Sequence, residues 1–188
     1  ATSPYPRTLT VDSFTHPLVN HSNLFSREKL DIGTRFFLDN IPKGNYPVIL
    51  DLGCANGIIG IAAKKKNPDS KIIFSDESQM AIISARINYK NYFTDEAQFL
   101  WTHSFEDQAE ESVNLVLCNP PFHQGNTVGV SIAEEMFKHA YRALAKGGTL
   151  RVIGNTHLQY QATLKQIFKN SRIAATNNKF MIVDAVKL

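Results

Sequence analysis

Val48-Ile49-Leu50, followed at once by Asp51-Leu52-Gly53-Cys54-Ala55-Asn56-Gly57, sets a short apolar strand directly before a glycine loop. Ile58 to Lys66 then has a helical pattern that stops before Pro68, so the loop opens a helix, the setting in which such loops bind ligands. Glycines let backbone approach a ligand closely and leave the helix N-terminus free for a carboxylate or phosphate. The pattern is D-x-G-x-A-x-G rather than G-x-G-x-x-G, and no Gly-Lys-Ser/Thr follows. That argues against a nicotinamide dinucleotide and against a P-loop nucleotide.

Outward from the loop, strand and helix patterns alternate. Lys71 to Ser75 is a second strand, and Asp76 just beyond it lies 25 residues after Asp51, where a carboxylate can accept both ribose hydroxyls. An acid ending a strand, taken alone, is equally a turn or N-cap residue. A helix follows over about 78–91, then strands over 98–101 and 113–118. Residues 132–145 read as a helix with Phe137, Tyr141 and Leu144 on one face, ended by Gly147-Gly148. A fifth strand spans 149–153, a helix 160–168, and a last strand-like run 180–186. Ahead of the loop, Leu30 to Asn40 reads as a helix closed by Pro42, while residues 1–24, rich in Pro, Thr, His and Asn, read as irregular. The expected domain therefore covers 25–188. Strands separated by single helices predict an α/β, mainly parallel, doubly wound sheet. Ligands of such sheets sit beyond the carboxyl ends of the strands at the switch point. The first and fourth of these strands should flank it, which brings the Gly53 loop beside Asn119.

Asn119-Pro120-Pro121-Phe122 ends the fourth strand. Two prolines remove two backbone donors and fix two φ angles, and the residue before a proline is pushed to extended geometry. What remains is a side-chain carbonyl, main-chain carbonyls and a ring, a set suited to a planar group carrying an NH2: the carbonyls accept and Phe122 stacks. Alone, the tetrapeptide also reads as a Pro-rich turn with Phe122 in the core.

Composition narrows the class. The chain has 188 residues, 43% of them hydrophobic, enough for one large domain. No run approaches a membrane span and no basic-then-apolar start resembles a signal peptide. The chain opens Ala1-Thr2-Ser3-Pro4 without methionine, which reads as a piece of a longer polypeptide. Cys54 and Cys118 are the only cysteines, and the six histidines form no close ligand pair, so reduced thiols, a cytoplasmic setting and no metal are expected. Net charge is +3, unevenly spread. Residues 149–188 hold Arg151, Lys165, Lys169, Arg172, Lys179 and Lys187 against Asp184 alone, a net +5 that leaves −2 on the rest. A basic quarter of this kind could meet a phosphate backbone; solvated helix faces explain it equally well. Lys64-Lys65-Lys66 reads as an exposed helix end.

Taken together, Asp51–Gly57, Asp76 and Asn119–Phe122 resemble a class I methyltransferase using S-adenosylmethionine, of the group that methylates amino nitrogens. Asn23–Gly33, Cys118–Gln124 and Ala175–Phe180 extend the likeness to bacterial ribosomal RNA guanine-N2 methyltransferases. The large-subunit (23S) enzymes are more similar than the small-subunit (16S) ones. The resemblance covers Leu18 to Leu188. It implies a seven-stranded, Rossmann-like sheet with the last strand region antiparallel, and a further N-terminal domain in the family that this chain lacks. One departure is Ala55, where the family loop has Gly.

The resemblance also implies roles. Gly53, Ala55 and Gly57 line the methionine end of the cofactor and Asp51 shapes the loop. Asp76 binds the ribose, Glu77 helps fix the adenosine, and His103 borders the adenine. Asn119 Oδ1 and the Pro120 carbonyl accept from the guanine amino group while Phe122 stacks on a base swung out of its helix. S-adenosyl-L-homocysteine is the product, ribosomal RNA the partner, and the chain is a monomer without metal or membrane contact. Phe25, Arg27, His123, Gln124, Tyr160 and Lys179 are further candidates. Adenine-N6 transfer, protein glutamine-N5 transfer and a non-catalytic RNA-binding module of the same fold remain open.

Overall fold

The structure, a computed structural model, describes residues 32–102, 108–121 and 127–188, with the backbone alone at 127–131 and in two short strands, β1 (Arg7–Leu9) and β2 (Leu18–Asn20). Those two strands pair antiparallel, Thr8 opposite Val19, where the sequence suggested irregular chain. The pairing is tertiary in origin, since three-residue strands have little stability alone. β2 lies against α3 (Gln79–Lys90).

Seven strands make the main sheet: β3 (Val48–Leu52), β4 (Lys71–Asp76), β5 (Gln98–Trp101), β6 (Val113–Cys118), β7 (Leu144–Asn155), β8 (Arg172–Thr176) and β9 (Phe180–Val186). Their order is β5-β4-β3-β6-β7-β9-β8. The first five are parallel, while β9 runs antiparallel to both β7 and β8. β3 is flanked by β4 and β6, so the chain reverses direction across the sheet at β3, as expected of a switch point.

Helices α1 (Ile32–Leu38), α2 (Ile58–Lys66) and α3 cover one face; α4 (Thr127–Ala143) and α5 (Tyr160–Phe168) cover the other. Strand residues alternate between the two cores. Ile49, Leu115 and Leu117 pack with Phe37, Ile61, Phe74 and Tyr89 on the first face. Leu50, Leu52, Val116 and Cys118 pack with Phe137, Leu144, Leu164 and Phe168 on the second. Each large side chain so buried contributes about 1.5–3 kcal/mol.

Two elements of the main domain depart from the sequence reading. α4 ends at Ala143 rather than near Gly147-Gly148, because Leu144 is fully buried and already pairs with Val113. The two glycines instead lie in a bulge, the register stepping from Leu144 to Thr149 while β6 advances from Val113 to Leu115. β8 was not legible as a separate strand: it is an exposed edge with the burial pattern of a surface segment. Lys64-Lys65-Lys66 does end α2, with Lys65 and Lys66 exposed and Lys64 turned inward. Lys64 is buried and donates to the Ser70 carbonyl at 2.6 Å, Lys65 lies over the Tyr92 ring, and Lys66 donates to the Ile41 carbonyl.

Candidate functional site

The sheet register brings the three motifs together. Leu52 pairs with Ser75 on one side and Cys118 on the other. The residues that follow these three are Gly53, Asp76 and Asn119. They therefore form one row across adjacent strands spaced about 4.8 Å apart, with the glycine loop in the middle. Asp76 in turn pairs with Trp101, which extends the row to β5.

The loop is shaped from beneath. Gly53 has φ 69 and Gly57 φ 85, left-handed values that glycine adopts without strain. A Cβ on Gly53 would meet Met136 Cε at 2.9 Å. Asp51, only 2% exposed, turns its Oδ2 back to accept from the Gly60 amide at 2.9 Å. Asn56 Oδ1 accepts from the Ile58 amide, and the Asn56 carbonyl accepts from Asn88 Nδ2. The Ile58 and Gly60 amides in the first turn of α2 are thus taken by the protein's own side chains.

Burial raises the Asp51 pKa to about 8, against the opposing Gly60 hydrogen bond and reinforced by the charge of Asp76. Asp76 is also raised, again by burial first, with the amides of Ser78, Ala55 and Glu77 pulling the other way. Its two oxygens accept from Ala55 at 3.0 Å and Ser78 at 2.9 Å. Two backbone amides thus hold the Asp76 carboxylate in place at the end of β4. Glu77, one residue on, is exposed, and Trp101 Nε1 donates to its carbonyl at 2.9 Å. Trp101 carried no signal in the sequence beyond ending a strand.

Ala55 occupies a left-handed conformation, φ 48. The loop tolerates a methyl where glycine is relaxed, and the Ala55 amide still reaches Asp76.

Asn119 is half-buried, Pro120 buried and Pro121 exposed. Asn119 Nδ2 donates to Thr34 Oγ1 at 3.2 Å, a contact across 85 residues of sequence. Thr34 was missed by sequence reasoning; its signal is a polar residue at a fully buried position of α1, one past the Asn23–Gly33 stretch. Phe122, His103, His123, Gln124, Phe25 and Arg27 lie outside the described residues.

Two further expectations change. Tyr160 is largely withdrawn into the core: it is 8% exposed and packs edge-on against Phe137 at 5.2 Å. The basic C-terminal quarter is partly spent inside the fold. Arg151 forms a two-pronged pair with Asp184 at 2.8 and 2.9 Å, Arg172 also reaches Asp184, and Lys187 pairs with Glu111 beneath the Tyr141 ring. Lys179 is exposed, on the β8–β9 turn at the same end of the sheet as Asn119. Among the described residues no His, Cys, Asp and Glu cluster could hold a metal ion, and no helix is long and apolar enough to cross a membrane.

Comparison with known proteins agrees with this geometry. The family described as methyltransferase small domain matches residues 15–184. The chain is 42% identical to ribosomal RNA large subunit methyltransferase G of Aeromonas salmonicida, over 98% of this chain and 50% of the relative. It is 45% identical to the protein of the same name from Shewanella pealeana, over 98% of this chain and 47% of the relative. The chain thus spans about half the length of the curated relatives it matches. A solved T. thermophilus 16S rRNA N2 methyltransferase, in complex with AdoMet and guanosine, shares the fold with a TM-score of 0.79 at 18% identity, over 97% of this chain and 50% of that one. With a family match running from β2 to the last strand and a switch-point site in the expected place, the chain belongs to the methyltransferase small domain family.

Proposed function

We propose that this protein, acting in the cytoplasm, transfers a methyl group from S-adenosylmethionine to the exocyclic N2 of a guanine in ribosomal RNA, with large-subunit (23S) RNA as the substrate. The observation that carries the reading is the single row Asp76–Gly53–Asn119, which sets an amino-group acceptor directly beside a bare-backbone loop and a ribose-side acid. The large-subunit relatives at 42% and 45% identity favour 23S over 16S RNA.

The residues present fit the cofactor. Gly53 and Gly57 leave backbone uncovered at the strand end, and a Cβ at Gly53 would crowd Met136. Asp76 fixes the loop through Ala55, and together with the exposed Glu77 carboxylate it would hold the ribose. Ala55 completes the methionine end, and His103 and its neighbours would border the adenine. Bound S-adenosylmethionine supplies an electrophilic methyl group and leaves as S-adenosyl-L-homocysteine.

The chain's own work is then positioning. A guanine amino nitrogen is a poor nucleophile because its lone pair is delocalised into the ring. Asn119 Oδ1 and the Pro120 carbonyl accept its two hydrogens, which favours pyramidal nitrogen, frees the lone pair and stabilises the positive charge that develops there. Phe122 stacks on the extruded base. The new N–C bond forms as the S–C bond breaks, and the nitrogen then releases one proton to water. Asp51 is not the base: it is buried under the loop with its oxygen on Gly60.

The test is incubation with labelled cofactor and large-subunit ribosomal RNA that lacks the modification, followed by nucleoside mass spectrometry. N2-methylguanosine is the expected product. N6-methyladenosine, or label transferred to glutamine in protein, would reassign the substrate, and no cofactor binding in calorimetry would make the chain a non-catalytic relative.

A further inference from the structure

We infer that Thr34 is a positioning residue for the transfer reaction, orienting the Asn119 carboxamide so that its oxygen faces the substrate amino group. The inference rests on the proposed role of Asn119 as acceptor.

An asparagine has two ends of opposite sense, and rotation about its last torsion is soft. The main chain at Asn119 is restrained by Pro120, but nothing in the backbone chooses which end of the amide points outward. The choice decides the chemistry. With Oδ1 outward, the site accepts from an NH2 group. With Nδ2 outward, donor would face donor and the amino nitrogen would be repelled.

Thr34 meets one of the two ends: its hydroxyl can accept or donate, and here it accepts. Its Oγ1 takes the Nδ2 end at 3.2 Å, which leaves Oδ1 as the end available to a substrate. Thr34 is 3% exposed, so solvent does not compete for the contact. It sits on α1, and α1 is tied to the sheet at its far end. Arg151 of β7, while paired with Asp184 of β9, donates from Nη1 to the Asn40 carbonyl at 2.6 Å. Phe37, one turn on from Thr34, is fully buried in the first core. The hydroxyl is thus delivered to Asn119 by a helix pinned to two strands outside the cofactor row.

The test compares Thr34→Val, which keeps the shape and removes the hydroxyl, with Thr34→Ser, which keeps it. For Thr34→Val, kcat should fall by roughly tenfold, about the worth of one neutral hydrogen bond, with the cofactor dissociation constant unchanged and the chain still folded at the assay temperature. Thr34→Ser should restore most of the rate. Should the Val variant fail to fold, Thr34→Ala against Thr34→Ser gives the same comparison, since the two leave equal space and differ in the hydroxyl alone. In parallel, the Asn119 side-chain amide signal in a nitrogen-edited NMR spectrum should move in every variant lacking the hydroxyl and stay in Thr34→Ser. Unchanged kcat in Thr34→Val, or a Ser variant as slow as Val or Ala, overturns the inference. Asn119→Ala separates the two readings. If it is inactive while Thr34→Val is fully active, the role of Thr34 fails alone; if it turns over normally, the role of Asn119 fails as well.

Discussion

The Ala55 amide donates to Asp76 Oδ2 at 3.0 Å from a left-handed backbone, φ 48. The acid that ends β4 is therefore the clasp of the loop that ends β3, and the clasp is closed by a residue whose Cβ disfavours that conformation. Ala55→Gly should relieve about 1 kcal/mol of strain, partly offset by the freer unfolded chain. The thermal midpoint should rise by about 2–4 °C per kcal/mol gained in a chain of this size. Differential scanning calorimetry checks this; a lower midpoint would mean that the methyl group packs usefully where it is.

Asp51 makes stability depend on pH in the sense opposite to most carboxylates. Its pKa rises from 3.8 to about 8 in the folded chain. Between those values the folded state holds the proton and the unfolded state has lost it, so raising the pH favours unfolding. The stability this group provides is complete below its unfolded value and is lost as the pH approaches 8. Asp51→Asn keeps an acceptor for the Gly60 amide and removes the titration. Urea midpoints across this window should fall with pH in the parent and fall less steeply in the variant, where Asp76, also raised, still titrates; identical slopes would contradict a neutral Asp51.

Gly60 shows packing overriding helix propensity. It lies inside α2, where Gly→Ala is ordinarily worth about 1 kcal/mol in favour of Ala. Here the added Cβ would lie 2.3 Å from Phe74 Cε1 and 3.1 Å from Asp51 Oδ2. Gly60→Ala should therefore destabilise by about 1–3 kcal/mol in urea denaturation, and a stabilised variant would show that Phe74 can yield.

Arg151 and Asp184 test the far anchor of α1. Removing the guanidinium in Arg151→Met leaves a buried carboxylate whose one remaining cation, among the described residues, is the exposed Arg172 at 3.6 Å. The cost should be about 3 kcal/mol, far above that of Arg172→Met, whose side chain is 79% exposed. Equal effects of the two substitutions would remove the anchor from the account.

Much of this architecture was legible because each signal was local. Val48–Leu50, Lys71–Ser75 and Val113–Cys118 are apolar runs bounded by loops, and their order alone puts Gly53 beside Asn119. What was not legible depends on which partner a side chain finds. Asp76 reads as a ribose acid, and nothing local shows that it also accepts from the Ala55 amide and so clasps the loop. Tyr160 and Lys187 read as surface groups, but folding carries one into the second core and the other onto Glu111. Thr34 could not be linked to Asn119 from sequence, since 85 residues separate them. The α4–β7 boundary was misplaced because Gly147-Gly148 punctuates a bulge as readily as a helix end.

The most direct test of the site is Asn119→Ala. Cofactor binding measured by calorimetry should persist, because the loop is held by Asp51, Asn56 and Asp76 rather than by Asn119. Methyl transfer to unmodified large-subunit ribosomal RNA should disappear. Transfer at the parental rate, or loss of cofactor binding in its place, would contradict an amino-group acceptor at the end of β6.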